Sequence, residues 1–572
     1  MNKNDFLPIP AFFVWILLTL VNLPPLDLFF PSFSKIFSYF LFGLIIYSLS
    51  PTKIAPLFGL SIFLVAAIES FFLLINQSSS RTYTFGYLTG NPIYSATLLG
   101  SAMCFVPVIF SMGGFLKLLK NAPSFIKIIF SSIITISFGF LIFKCESRSG
   151  LLGALLGLSI FIFRKETRSF VLASIIILFT YLIWNPAGTL HYFEIDWSKP
   201  AELLGRLVIW KTALISILDK PILGFGLGNF ERAYFLNQQP THEILRFEKF
   251  TQFAHNDYLQ LAVEGGIPLL LIFLWGIIRL IIKVSRQKEI SLIQCWALST
   301  VILFGTISLF NFSAYLPTNG LILSGCLGLL FQKGLKDESQ QNWSINLNFL
   351  KAISISMGLI VFGFGLSNWQ LKKGNLRLAV GIMPANSEAW LAKAQKEAQE
   401  SAPLETLPEV LRDLDKSILW NSENPWIWLA KGSLLKTLTP TPVNEIYYCL
   451  DKSISLAPNH APFWILKGLF LAKQNNFLAA EKYFKIAADL EPRAPIPFYY
   501  LGLVSFSLNK WEEGRTSLNK AAELKRIYGE KISQSHYAKF LFNVTEEQIS
   551  SIKNMSKSNK RDFERVINNE YR

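Results

Sequence analysis

The chain has 572 residues, of which 51% are hydrophobic, 16% are charged and 50 are phenylalanine, and its net charge is +15. Soluble globular proteins carry charge on about a quarter of their residues, so this composition excludes a single soluble domain. About 12% of residues 1–368 are charged, against about 25% of residues 369–572. This contrast predicts a membrane domain followed by a soluble one. No basic stripe interleaved with aromatic residues occurs in the soluble part, so nucleic-acid binding is not expected.

Apolar runs long enough to cross a bilayer recur up to about residue 370. We place eleven predicted spans near residues 10–24, 33–50, 53–75, 88–110, 125–143, 149–163, 169–186, 263–284, 291–311, 317–332 and 349–368. The lysines and arginines of the short loops fall mostly on one side if the N-terminus is cytoplasmic. This orientation predicts that the long loop 187–262 and everything after the last span are extracytoplasmic. Arg81, Lys144 and Arg148 lie on the outer side against the rule, where we expect function.

The last 200 residues contain an internal repeat. Trp390, Trp428, Trp464 and Phe498 open four similar segments, and related second segments lie at 415–419, 451–455, 485–489 and 519–523. A period near 34 residues with prolines at the joints resembles tetratricopeptide repeats, which are pairs of helices stacked into a solenoid. We interpret the aromatic residues as packing positions. The sequence predicts a repeat domain at 369–550 followed by a charged tail at 551–572, and it leaves open whether the repeats bind a partner or a substrate.

The long outer loop contains an amphipathic segment, GRLVIWKTALISILDKPI, which begins at Gly205. Its apolar residues recur at helical spacing, and Pro221 ends the run, so we predict a helix at the membrane surface. Arg206 stands at its start. The following GFGLG (Gly224, Gly226, Gly228) lacks the GK[ST] ending of a phosphate-binding loop and is better interpreted as a tight turn.

The sequence AHNDYLQ leads from the loop into the eighth span and places His255 at the outer membrane boundary. A histidine there titrates near neutral pH and can accept a proton from a hydroxyl. Asn256, Asp257 and Glu264 lie close by as possible supporting residues. The alternative is a hydrogen-bonded interfacial histidine. His242 and His255 do not have the spacing of a metal site, and the five cysteines form no CxxC pair, so neither a metal nor another cofactor is expected.

Arg148, in CESRSGLLGALLGL, stands at the outer mouth of the sixth span. Arginines beside a bilayer extend toward water, pair with a carboxylate or hold a phosphate. Two arginines and one histidine predicted on the same face favour the functional alternative.

Three motifs in this order, SRSG, GRLVIW…PILGFGLGNF and AHNDYLQLAVEGG, resemble the O-antigen ligase and polymerase superfamily of bacterial envelope glycosyltransferases. The resemblance covers roughly residues 80–330. It implies an all-α polytopic protein of the bacterial inner membrane, with the repeats as an addition found in some members. Arg148 and Arg206 would bind the pyrophosphate of an undecaprenyl-linked glycan, and His255 would deprotonate the acceptor hydroxyl. The reaction would invert the anomeric carbon without a metal, because arginines can stabilise the phosphate charge.

Several alternatives stay open at this stage. Lys144 or Arg232 could replace either arginine, and Asp257 and Glu264 could orient His255 or pair with an arginine. The acceptor could be a lipid, another lipid-linked repeat or a protein hydroxyl, as in a protein O-oligosaccharyltransferase. A protein of a different class, a membrane scaffold that recruits polysaccharide-assembly partners through its repeats, would make His255 dispensable. A transporter is disfavoured because the charges collect at one surface instead of at mid-membrane.

Overall fold

A computed structural model describes residues 7–22, 24–49, 51–75, 91–111, 123–184, 200–238, 251–287, 290–313, 316–332, 347–400, 407–438, 440–529 and 536–553. Within these ranges the regular structure is helical, which confirms the all-α prediction. The first thirteen helices are α1 Pro8–Leu18, α2 Leu26–Ser48, α3 Pro51–Ile75, α4 Pro92–Ser111, α5 Ser124–Lys144, α6 Arg148–Ser159, α7 Lys165–Trp184, α8 Pro200–Asp219, α9 Phe230–Asn237, α10 Asp257–Ser285, α11 Leu292–Ser308, α12 Pro317–Phe331 and α13 Leu347–Lys372. They are followed by α14 Leu376–Ile382, α15 Ser387–Glu400, α16 Leu407–Trp420, α17 Pro425–Leu435, α18 Val443–Leu456, α19 Ala461–Lys473, α20 Phe477–Leu490, α21 Pro495–Ser507, α22 Trp511–Tyr528, α23 His536–Leu541 and α24 Glu546–Lys553.

The chain divides into two compact units. The membrane unit comprises Met1–Leu18, Ser32–Ser198 and Phe253–Val361, and the repeat unit comprises Thr19–Pro31, Lys199–Gln252 and Phe362–Arg572. The loop segment that carries Arg206 therefore belongs to the same unit as the repeats. The predicted domain boundaries at 368 and 550 stay a prediction.

A helix lies at each of the eleven predicted spans. Five of the described helices are long and apolar enough to cross a membrane: Leu26–Ser48, Ile54–Ile75, Pro92–Ser111, Phe125–Lys144 and Asp257–Val284. Shorter apolar helices are Pro8–Asn22, Arg148–Phe163, Leu292–Ser308 and Pro317–Phe331. The chain is a membrane protein, while eleven crossings stay a prediction.

Close contact between α6 and α11 forms the centre of the membrane unit. A side chain on Gly157 would lie 2.7 Å from the carbonyl oxygen of Ser299, and one on Gly153 would lie 3.0 Å from that of Leu303. Glycines four residues apart let two helix backbones approach, which is how packing replaces the missing hydrophobic effect in lipid. These pairs run antiparallel, so the first residue of α6, Arg148, lies at the same end as the last residues of α11.

The repeat unit consists of antiparallel helix pairs. Helices α17, α19 and α21 each pack against the following helix. The indoles of Trp390, Trp428 and Trp464 donate hydrogen bonds to carbonyl oxygens six residues earlier, at 2.8, 2.7 and 2.7 Å. Each tryptophan thereby ties its helix to the loop before it. All three tryptophans also pack against apolar clusters of the repeat unit, as predicted.

Candidate active site

His255 immediately precedes α10, and Asn256 fixes its position. The Asn256 side-chain oxygen accepts from the backbone N–H groups of Tyr258 and Leu259, both at 3.0 Å, and so caps the helix. Its amide nitrogen donates to the carbonyl oxygen of Leu309 at 2.9 Å, which connects this helix start to the end of α11. His255 itself has a φ of 51°, in the left-handed region that non-glycine residues seldom occupy. Such strain is concentrated at functional sites and persists only where the surroundings impose it.

Aromatic packing orients the His255 ring. The ring lies edge-to-face against Phe312, with centroids 4.9 Å apart. Phe312 in turn stacks on Phe253 at 4.4 Å. The imidazole is partly exposed. A packed but accessible ring is suited to meeting a substrate proton without rotating away.

The predicted supporting carboxylates have different neighbours. Asp257 accepts a hydrogen bond from the Ser308 hydroxyl at 2.7 Å, so it ties α10 to α11. Glu264, two turns further along α10, accepts from the Gln260 amide nitrogen at 2.9 Å. The oxygen of the same Gln260 amide accepts from the backbone N–H of Ala254 at 3.1 Å. Glu264 is therefore linked through one amide to the residue immediately before His255.

Lys35 is a charged neighbour that the sequence prediction missed. It lies in the apolar helix α2, and its ammonium group interacts electrostatically with Glu264. A charged residue inside an apolar span is a recognised indication of function, so the sequence did contain a signal. Gln260, Ser308 and Phe312 carry no such signal, because their roles depend on which residues they meet.

Arg148 lies at the same end of the membrane unit as His255. It is the first residue of α6, is exposed, and follows Ser147, whose hydroxyl caps the helix by accepting from the Gly150 N–H at 3.2 Å. The adjacent Ser149 hydroxyl accepts from the Asn311 amide at 3.0 Å. The segment 309–313 thus contacts both the start of α6 and the loop around His255. The exposed Lys144 lies at the end of α5, with its ammonium 5.5 Å from the centroid of the Phe140 ring.

Arg206 lies on α8 in the repeat unit and is partly buried. Its convergence with Arg148 and His255 stays a prediction. The turn after α8 is as expected: Gly224, Gly226 and Gly228 have φ values of 62°, 94° and 79°. A tight turn by itself accounts for glycine at these positions, because glycine adopts positive φ without steric cost. A side chain on Gly226 would lie 2.5 Å from Pro24.

Arg232, the alternative phosphate ligand, forms an ion pair, and its phosphate role stays a prediction. Its guanidinium lies 2.9 Å from a carboxylate oxygen of Glu423 in the repeats, and both side chains are largely buried. His242 and Arg81 lie outside the described residues. Within the described ranges, no group of three His, Cys, Asp or Glu residues has the arrangement of a metal site. All five cysteines are buried and unpaired with one another.

The segment from α5 to the first half of α10 contains the three predicted site residues Arg148, Arg206 and His255. Comparison with protein families identifies this same segment. Residues 132–274 match the O-antigen ligase family. The O-antigen ligase segment covers a quarter of the chain and includes Arg148, Arg206 and His255. This match supports a glycan-transferring protein of the ligase or polymerase type, acting in a membrane on lipid-linked polysaccharide.

Solved structures similar to the chain include tetratricopeptide proteins. The MamA protein is 14% identical over 30% of this chain and 93% of its own, with a TM-score of 0.25. YrrB, described as a TPR protein with an unusual peptide-binding site, is 16% identical over 30% and 91%, with a TM-score of 0.25. Yeast Tom70 is 14% identical over 84% and 89%, with a TM-score of 0.23. The repeat assignment rests on the helix pairs described above. A search of curated proteins finds no match to any part of the chain.

Proposed function

We propose that the protein is an envelope glycosyltransferase that moves a glycan from undecaprenyl diphosphate to an acceptor hydroxyl. His255 accepts the proton of that hydroxyl, and the resulting oxygen nucleophile attacks the anomeric carbon of the glycan. The bond between this carbon and the phosphate oxygen breaks, the configuration inverts, and undecaprenyl diphosphate leaves. Because His255 takes one proton for each bond formed, it returns that proton to solvent or to the leaving diphosphate before the next cycle.

The leaving diphosphate requires positive charge close to its oxygens. In the proposal Arg148 and Arg206 supply this charge, because the guanidinium group binds phosphate oxygens in pairs and stays protonated. Fixed cations stabilise charge as it develops in the transition state without rearranging. No metal ion is needed for this step.

The position of His255 is the observation that carries the proposal. Its backbone is held in a strained conformation between the capping residue Asn256 and Ala254, whose N–H is bound by Gln260. The match of the surrounding segment to the O-antigen ligase family supports the same assignment.

We further propose that the protein lies in the bacterial inner membrane with its N-terminus in the cytoplasm. The membrane domain would extend over 1–368 with the active site facing outward, followed by extracytoplasmic repeats at 369–550 and the tail at 551–572. The lipid-linked donor would then enter from the outer leaflet. The acceptor, a lipid or a protein, would come from the same side.

The test is transfer by the purified full-length protein in liposomes containing an undecaprenyl-diphosphate-linked oligosaccharide. We expect release of undecaprenyl diphosphate, a loss of at least about a hundredfold in kcat for His255→Ala, as is typical of a general base, and weakened donor binding for Arg148→Ala and Arg206→Ala. Lys165→Ala, at an exposed lysine that begins α7 and lies beyond the opposite end of α6 from Arg148, is the matched control and should retain activity. Addition of a chelator should not slow the reaction.

Three acceptors supplied in parallel identify the reaction type: a lipid A–core acceptor, a second lipid-linked repeat and an acceptor protein. Full activity of His255→Ala would remove the proposed base. Absence of transfer by the wild-type protein with all three acceptors would overturn the proposal in favour of a scaffold that recruits assembly partners through its repeats.

A further inference from the structure

The short loop helix α9 packs against the repeats, within the repeat unit. Phe235 of α9 is 5% exposed and belongs to one apolar cluster with Ile454, Ala457 and Phe463 of the repeats. Its ring lies edge-to-face against His460, with centroids 5.9 Å apart. An aromatic side chain seated in an apolar pocket is the usual anchor of a stable interface.

Polar contacts on the same helix specify how it is seated. The Arg232–Glu423 ion pair is 2.9 Å long, and its side chains are only 16% and 21% exposed. The Asn459 amide donates to the carbonyl oxygen of Gln238, the residue that follows α9. Removing one partner of a largely buried ion pair leaves an uncompensated charge, so such a pair discriminates strongly between correct and incorrect docking.

Helix α9 is in turn joined to α8, the helix that carries Arg206. The Ser216 hydroxyl of α8 donates to the carbonyl oxygen of Ala233 at 3.3 Å, and the Asn237 amide donates to Asp219 at 3.4 Å. A continuous set of contacts therefore runs from the repeats through α9 to α8.

We infer that the repeats serve as an internal positioning domain, whose surface around Trp426, Ile454 and Phe463 is occupied by α9 of the same chain and which thereby holds the Arg206 helix in place for the transfer reaction. The catalytic part of this inference rests on the proposed function. A second consequence does not: because the loop segment and the repeats form one compact unit, they lie on the same side of the membrane, whatever the number of spans.

Charge reversal of the ion pair tests the docking. Arg232→Glu and Glu423→Arg each place like charges opposite one another, and the double variant restores an opposite-charge pair. In the purified full-length protein we expect hydrogen exchange of residues 230–237 to accelerate about tenfold or more in each single variant and to return toward the wild-type rate in the double variant. Reversal of the exposed pair Arg515–Glu512 (3.8 Å) is the matched control and should leave the exchange unchanged.

Transfer kinetics test the positioning role. Each single variant should raise the KM for the lipid-linked donor about tenfold, and the double variant should restore it. Unchanged exchange in the single variants would overturn the docking. Accelerated exchange with unchanged kinetics would overturn the positioning role. If exchange responds as expected but the wild-type protein transfers no glycan, the proposed function fails while the docked surface stands.

Cysteine labelling tests the shared side of the membrane. Lys211→Cys in α8 and Ser455→Cys in the repeats both introduce thiols at exposed positions, whereas the native cysteines are buried. A membrane-impermeant maleimide applied to spheroplasts should label both variants or neither. Labelling of one variant alone, with both labelled after lysis, would overturn the inference.

Discussion

Replacing Gln260 by leucine tests whether the hydrogen bonds behind His255 position it for catalysis. Leucine keeps the size of the side chain but removes the acceptor of the Ala254 N–H and the donor to Glu264. Ala254 is fully buried, so its orphaned N–H costs about 1–3 kcal/mol, and a lost bond to a charged group costs about 1.5–3 kcal/mol. A destabilisation of about 2 kcal/mol in the 254–255 segment lowers the ratio of its native to its displaced conformations roughly thirtyfold.

We therefore expect Gln260→Leu to lower kcat at least about tenfold with a smaller change in the KM for the donor, because the base is displaced while the phosphate ligands are untouched. The measurements are single-turnover transfer rates and thermal melting of the same preparations.

The matched control is Gln332→Leu. Gln332 is also buried, and its amide donates to the carbonyl oxygens of Ile46, Tyr47 and Leu49, at 2.7, 3.2 and 3.1 Å. It follows the opposite end of α12 from the segment that contacts His255. We expect a comparable loss of stability without a loss of kcat. If both variants melt early and both keep the wild-type kcat, the reasoning about Gln260 is refuted.

The unfolding free energy of His255→Gly should exceed that of His255→Ala by about 1 kcal/mol, because glycine adopts the left-handed conformation without strain. Equal stabilities of the two variants would contradict backbone strain at position 255. Trp428→Phe should lower the unfolding free energy of the repeats by about 1 kcal/mol, since it removes one indole bond from a position where Phe498 shows that the ring is tolerated; an unchanged denaturation midpoint would show that this bond contributes nothing. Burial, and then the charge of Glu388, raise the pKa of Glu231 from its ordinary value of 4.5 to about 7. Between these two pH values the folded unit therefore keeps a proton on Glu231 that the unfolded chain has released. Stability should fall by about 1–3 kcal/mol between pH 5 and pH 8, and a wild-type slope in Glu231→Gln would exclude Glu231 as its source.

Composition and spacing determined the architecture of this protein without any structure. Eleven apolar runs predicted helices that the structure contains, and the 34-residue period predicted the helix pairs of the repeats. The left-handed glycines around Gly226 agree with the predicted turn. These features are local, because the length of an apolar run, a helical period and the conformational freedom of glycine are properties of neighbouring residues.

The candidate residues were also identified from their types and motifs, but their partners were not. Arg148 and His255 are more than a hundred residues apart in sequence, and the segment around Asn311 and Phe312 that contacts both of their surroundings was unremarkable in the sequence. In the sequence Gln260 is one polar residue just before a predicted span, and only the structure shows that its amide bonds to Ala254 and Glu264.

Only the tertiary structure shows the partner of Arg232. As a basic residue in an outer loop it was an alternative phosphate ligand, and the structure pairs it with Glu423, 191 residues later, at 2.9 Å. Hydrophobic pattern and helical period report how each segment partitions between water and an apolar environment. They do not report which of many compatible charges or apolar surfaces a segment meets, because that choice depends on the packing of the whole unit. The sequence therefore determined the membrane helices, the repeats and the candidate residues, and the fold determined that the repeats hold the loop that carries Arg206.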